Sequence, residues 1–231
     1  MIPVSTLLAG YRTGYFPMSV DGGIRWFSPG RRGILPLDRF RVPRRLTRLL
    51  RQARFHSTVN RSFREVITAC ASRPDPRGNW IDDEILESYC ALHEVGHAHS
   101  VEIWDGDELA GGLYGVSLRG AFFGESMFHV VHDASKVALH VLVDRLRARR
   151  YQLLDIQWVT PHLARFGAVE IDRGDYLMAL GESMQHRCAF DGPELAGATV
   201  MGPSRPDDPR PAPGSSSAGA PSARSGSFSR S

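Results

Sequence analysis

Apolar positions along this chain follow two spacings, and the change between them marks out the elements. From Asp82 to Glu94, Ile85, Leu86, Tyr89 and Leu92 return at helical intervals and form one side of an amphipathic helix. After Ala98 the alternation tightens. Ala98–Trp104, Glu108–Leu118 and Ala121–Phe128 read as three strands of a meander, turned at Asp105-Gly106 and Arg119-Gly120. A helix over Ala134–Arg149 then crosses to a strand over Gln152–Trp158. Thr160-Pro161 caps a short helix that Gly167 ends, followed by a strand over Ala168–Ile171 and a helix from Tyr176 to Gln185. Upstream, Ser5 as N-cap opens a helix that stops at Gly14, and Ile24 to Leu37 gives strands broken by Ser28-Pro29-Gly30. Pro43 opens a helix to about Gln52, and Ser62-x-x-Glu65 has the form of a capping box ahead of Phe63, Val66, Ile67 and Cys70.

The elements predict a mixed α+β fold in three parts. Residues 1–76 form a small N-terminal α/β domain, closed by the Pro/Gly loop Arg73–Gly78. Residues 77–202 form the larger domain, and residues 203–231, rich in Pro, Ser, Gly, Ala and Arg, form a disordered tail. At 231 residues and 42% hydrophobic content the chain can bury a substantial core. No apolar run approaches the roughly 20 residues needed to cross a bilayer, and Met1–Ser5 lacks the features of a secretory signal. A cytoplasmic monomer without membrane contact is expected. Cys70, Cys90 and Cys188 have no metal-like spacing and read as free thiols in a reducing compartment.

The net charge of +3 conceals an uneven distribution: from Arg31 to Arg64 there are eleven arginines and one acid, Asp38. Preference for Arg over Lys is general here, since Lys136 is the only lysine, but that bias does not remove acids from one segment. The segment is a candidate phosphate-binding surface. Lys136 itself opens a helix, where the free N–H groups favour an anion, although a surface ion pair would account for it equally well.

Asp155 and Gln157 carry the sharpest local signal. Alternation sends them one way while Leu154, Ile156 and Trp158 go the other, so a carboxylate and an amide occupy one face of an apolar strand. Such groups require a polar partner when buried. Elsewhere, His93-Glu94-Val95-Gly96-His97 has the letters of a zinc-protease helix, but Gly96 ends the helix before His97 can align with His93. The pattern is read as chance and no metal is expected. No glycine-rich turn precedes the helix at Ala134, which disfavours CoA.

Several motifs in order complete the reading: Tyr11–Met18 (YRTGYFPM), Trp26-Phe27-Ser28-Pro29, Asn79-Trp80-Ile81, Gly96–Glu102, Gly111–Val116, Phe122–Phe128 (FFGESMF), Asp133–Lys136 (DASK) and Asp155–Gln157 (DIQ). Over roughly Leu7 to Leu177 the chain resembles the leucyl/phenylalanyl-tRNA–protein transferases. The resemblance implies a C-terminal domain like that of the GNAT acyltransferases. It also implies transfer of Leu or Phe, with Met as a further donor residue, from aminoacyl-tRNA to the α-amine of proteins beginning with Arg or Lys, marking them for N-degron degradation. No cofactor is implied. By the same resemblance Asp155 and Gln157 are catalytic. Glu125 holds the amino group of the aminoacyl moiety, and Leu113, Phe122 and Met127 shape its apolar pocket. Trp80 and Met18 hold the terminal adenosine, Lys136 lies near a phosphate, and Arg44 and Arg45 contact the tRNA. Asp155 is also expected to draw in the basic first residue of the acceptor. Met18 stands where some members carry Trp, Phe27 replaces a common Trp, and Trp158 is a bulky neighbour of Gln157.

Overall fold

The computed structural model describes residues 1–73 and 79–192; the expected tail, 203–231, lies outside the described residues. The centre is a seven-stranded sheet in the order β4-β5-β6-β7-β8-β3-β9. The strands are β3 (Arg31–Ile34), β4 (His56–Val59), β5 (Ala98–Asp105), β6 (Glu108–Leu118), β7 (Ala121–His129), β8 (Leu153–Gln157) and β9 (Val169–Asp172). The sheet is antiparallel throughout except between β7 and β8, which helix α5 (Ala134–Ala148) joins as a crossover. Meander, helix and parallel strand follow one another as the periodicity requires, so the mixed α+β class holds.

Each face of the sheet buries its own apolar set. Leu113, Leu154 and Ile156 pack with Val137, Leu142 and Leu146 of α5, while Val116, Phe123 and Leu153 face the other way. That second face is covered by α1 (Val4–Arg12), α3 (Phe63–Ala71), α4 (Asp83–Glu94) and α7 (Arg173–Ser183), through Leu7, Tyr11, Val66, Ile85, Tyr89 and Tyr176. Each side chain of this size, fully buried, contributes about 1.5–3 kcal/mol. Helix α2 (Arg44–Arg51) buries Leu46 and Leu50, and α6 (Pro161–Ala164) is capped by Thr160, whose hydroxyl accepts from the Leu163 N–H at 3.2 Å.

Local details depart from the sequence reading in four places. The first helix begins at Val4 with Pro3, not Ser5, at its N-cap. Ser62 holds the N-cap position of α3 without a side-chain cap bond, and its N–H donates to Glu102 at 3.3 Å rather than to Glu65. Glu102 is fully buried and collects donors from Ser62, Ser100 and Thr58, which outweighs a local capping box. Two strands were not foreseen. Strand β1 (Phe16–Val20) pairs with β2 (Gly23–Phe27) through a hairpin whose turn, Asp21-Gly22, has φ of 53° and 76°. That Asp-Gly pair is a recognisable hairpin signal. Strand β4 is a half-exposed edge with no alternation to read.

Strands β3 and β4 both fall within residues 1–76, yet they pair into the same sheet as β5–β8. The sheet therefore crosses the expected boundary at residue 76. This placement of β3, between β8 and β9, builds the site described next.

Candidate active site

The parallel ladder pairs Ala121–Phe123 of β7 with Leu153–Asp155 of β8. The residues that follow on both strands, Gly124–Met127 and Ile156–Trp158, line a cavity of about 520 Å³. Phe16 and Met18 of β1, Trp80, Leu113 of β6, Leu139 and Leu142 of α5, and Thr160, His162 and Leu163 are among the other lining residues. The lining is mostly apolar with a few polar groups, the composition of a site that accepts a small organic side chain.

Asp155 and Gln157 have different settings. Asp155 is 0% exposed and lies outside the cavity lining. Its oxygens accept from Arg32 Nε at 2.9 Å, Arg32 Nη2 at 2.6 Å and the Tyr176 hydroxyl at 2.7 Å. Arg32 is itself 1% exposed, donates to the Gly14 carbonyl, and lies between the rings of Phe16 and Tyr176, 4.6 and 4.5 Å from their centroids. The expectation that Asp155 attracts the acceptor's basic residue is therefore corrected: its charge is matched internally and cannot reach a ligand.

What Asp155 does hold is the backbone of Gln157, whose N–H donates to Asp155 Oδ1 at 2.9 Å. Gln157 has φ of +57°, a left-handed conformation uncommon outside glycine, and the Trp158 N–H bonds back to the Ile156 carbonyl at 2.6 Å. Strand β8 thus ends in a tight turn that presents Gln157 to the cavity. Gly33 on β3 faces this turn in register; a Cβ there would lie 2.7 Å from the Trp158 carbonyl carbon and 2.8 Å from the Val159 nitrogen. Backbone cannot yield as a flexible side chain does. Gly33→Ala is therefore expected to displace Gln157 and lower turnover about 10- to 100-fold, since small misplacements of reacting groups have effects of this order. Initial rates test this, and an unchanged rate would show that the approach is not needed.

Glu125 forms the floor on the opposite strand. It accepts from the Tyr11 hydroxyl at 2.7 Å, the Tyr89 hydroxyl at 3.3 Å and Gln157 Nε2 at 3.4 Å, and the two tyrosine hydroxyls bond to each other. Burial pushes its carboxyl up to about 8; the Tyr11 hydroxyl opposes this, Asp155 adds to it, and Arg32 and Tyr89 oppose it again. The folded protein thus holds a proton here that the unfolded chain releases above the ordinary value of 4.5. Stability consequently falls as pH rises from about 5 to about 8. One proton corresponds to about 3–5 °C in Tm per pH unit. Glu125→Gln is expected to flatten that slope in thermal unfolding, and parallel slopes would rule the assignment out.

Other expected residues divide in two groups. Met18, Trp80, Leu113, Glu125, Met127 and Gln157 all line the cavity. Phe122 does not: it is fully buried and stacks on Phe190 at 5.0 Å, so its role as a pocket wall is corrected to one of core packing. Lys136 pairs with Asp133, the ordinary ion pair that was the alternative, and Asp133 also meets Arg45 Nε at 3.4 Å. On α2, Arg44, Arg48 and Arg51 are exposed and form one face by helical spacing. None of the three has an ion-pair partner among the described residues. His93, on α4, bonds the Ala98 carbonyl at 2.8 Å, and Gly96 at φ +77° carries the chain out of the helix before His97.

Sequence reasoning missed Arg32, Tyr176, Tyr11, Tyr89, Gly33 and His162. Tyr11 stood within a quoted motif, but nothing local separated Arg32 from ten neighbouring arginines. His162 lines the cavity, as do His129 and Ser135, and its buried Nε2 has no hydrogen-bond partner among the described residues.

Comparison with known proteins agrees with this layout. The family profile described as "Leucyl/phenylalanyl-tRNA protein transferase" matches residues 34–181, and the one for the N-terminal domain of that family matches residues 1–30. A leucyl/phenylalanyl-tRNA–protein transferase of Rhodopseudomonas palustris (strain HaA2) is 51% identical over 194 residues, covering 82% of this chain and 87% of its own. One from Nitrobacter winogradskyi is 52% identical over 188 residues, covering 80% and 84%. With the cleft between β7 and β8, its carboxyl and amide, and a match over most of its length, the chain belongs to the leucyl/phenylalanyl-tRNA–protein transferase family.

Proposed function

We propose that the protein moves Leu or Phe, and Met as a further donor residue, from aminoacyl-tRNA to the α-amine of proteins beginning with Arg or Lys. The modified proteins would enter N-degron degradation. The observation that carries this reading is Gln157, held in a strained turn at the cavity wall with its amide nitrogen directed to Glu125. Its oxygen is then left to accept from an incoming amine.

The acceptor nitrogen attacks the ester carbonyl, the amide C–N bond forms, and the ribose oxygen departs with the proton. An α-amine has a pKa of about 8, so roughly a tenth is neutral at pH 7. The ester is already activated, so the step draws on orientation, worth up to about 7–11 kcal/mol. Gln157 aims the amine, and a neutral amide being a weak base, water or the ribose hydroxyl relays the proton. Asp155 acts through Gln157 and is a positioning residue. Glu125 receives the amino group of the aminoacyl moiety, a cation that favours its ionised form. Leu113 and Met127 accept the Leu or Phe side chain, and Trp80 with Met18 stacks the terminal adenosine.

The arginine face of α2, without ion-pair partners among the described residues, supports tRNA contact by Arg44, with Arg45 beside it near the start of α5. In this reading residues 1–76 chiefly serve tRNA and residues 77–202 chiefly serve transfer, in a cytoplasmic monomer. No helix among the described residues is long and apolar enough to cross a membrane. The decisive experiment supplies labelled Leu- or Phe-tRNA with reporters beginning in Arg, Lys or Met. Label reaching the Arg and Lys reporters alone supports the proposal; label reaching none of them refutes it.

A further inference from the structure

The sealing of Asp155 leaves open what selects a basic acceptor. Among the described residues lining the cavity there is one carboxyl, Glu125, which bonds Tyr11, Tyr89 and Gln157 and in the proposed reaction is taken by the amino group of the donor. Besides the Tyr114 phenol, the remaining ionisable lining residues are basic: Arg73, His129 and His162. On β9, two strands from Trp158, Glu170 and Asp172 are both engaged by Arg31, at 3.9 and 2.7 Å. No free anion on these elements is therefore placed to attract an N-terminal Arg or Lys.

An aromatic ring is. Trp158 follows Gln157 directly, lines the same cavity and is 42% exposed, the most open of the four tryptophans. Phe16 and Phe27 meet it edge to face, with centroids 5.1 and 6.4 Å away and planes at 84° and 68°. Its backbone lies against Gly33, so main chain and ring are both held. A large aromatic ring is thus held partly in water next to the amide of Gln157. The face of an indole attracts a guanidinium or ammonium within about 6 Å.

We infer that Trp158 is the specificity-determining residue for the acceptor: the side chain of its first residue, Arg or Lys, lies over the indole while Gln157 takes the α-amine. The two groups belong to one acceptor residue, and Gln157 and Trp158 are consecutive and line the same cavity, so one residue can meet both: its neutral α-amine at Gln157 and its charged side chain at the indole. This inference rests on the proposed aminoacyl transfer to basic N-termini.

The test compares reporters beginning with Arg and with citrulline, its uncharged near-isostere, in the wild type, Trp158→Leu and Trp158→Phe. In Trp158→Leu the acceptor KM for the Arg reporter is expected to rise about 5- to 20-fold, while the KM for aminoacyl-tRNA changes less than about twofold. The preference for Arg over citrulline should fall towards unity. Trp158→Phe, which keeps a ring, should stay within about threefold of wild type. An unchanged Arg/citrulline ratio in Trp158→Leu overturns the inference, as does an equal rise in both KM values. Transfer by the wild type to no reporter would instead refute the reaction itself. Binding then still tests Trp158: Arg-initial peptide should quench tryptophan fluorescence in the wild type more tightly than citrulline-initial peptide, and Trp158→Phe should lose that signal. Equal affinities for the two peptides would overturn the inference on their own.

Discussion

Asp155→Ala is expected to destabilise the protein by about 3–5 kcal/mol, because it leaves the Arg32 guanidinium buried without its counter-charge. The Tyr176 hydroxyl and the Gln157 N–H lose the same acceptor. Arg32→Met should do comparable damage from the other side by stranding a carboxylate that is 0% exposed. The double variant Arg32→Met with Asp155→Leu should recover much of the loss, since apolar groups of similar volume remove the desolvation penalty of both partners. Urea unfolding of the two single variants and the double variant tests the set. If Asp155→Ala unfolds within about 1 kcal/mol of wild type, the buried pair is not what holds β3 against β8. Turnover in Asp155→Ala should also fall in the fraction that remains folded, because Gln157 loses the bond that keeps its left-handed turn.

Gln157→Ala is expected to lower kcat about a hundredfold with a much smaller change in the KM for aminoacyl-tRNA. A group that orients a reactant during the chemical step gives effects of this order. Its side chain is only 6% exposed and its removal leaves no unpaired charge, so stability should change far less than in Asp155→Ala. That contrast separates a residue that touches the amine from one that holds the turn. Gln157→Glu retains an acceptor oxygen but places a second carboxyl beside Glu125, and it should recover only part of the rate. Single-turnover transfer from pre-bound Phe-tRNA measures the step directly. A Gln157→Ala rate within about threefold of wild type would exclude Gln157 from the chemistry.

The same contrast shows how far local pattern reaches. Periodicity, with the turn signals, located the meander, the crossover helix and β8 to within a residue or so, because β5, β6 and β8 are apolar runs buried on both faces and bounded by tight turns, and α5 packs its apolar face on the sheet. It missed β4, an edge strand with no buried face to impose alternation, and β1, half of a hairpin outside the main sheet. The family resemblance assigned Phe122 to the pocket, and nothing in the run of aromatics on β7 tells one ring from another; only packing against Phe190 shows which way that ring is committed. Lys136 likewise had a helix N-terminus and a nearby acid in its favour, and the ion pair with Asp133 is what forms.

By itself the sequence determined the α+β class, the family, the adjacency of a carboxylate and an amide on β8, and the need of that pair for a polar partner. Those are properties of near neighbours and of composition. Tertiary structure alone decided that β3 inserts between β8 and β9, so that Arg32, 123 residues from Asp155, closes over it and only Gln157 looks into the cavity. Alternation tells which residues share a side of a strand. What covers that side depends on strand pairing across the whole chain, where one arginine among eleven acquires a partner and the others remain at the surface or pair elsewhere.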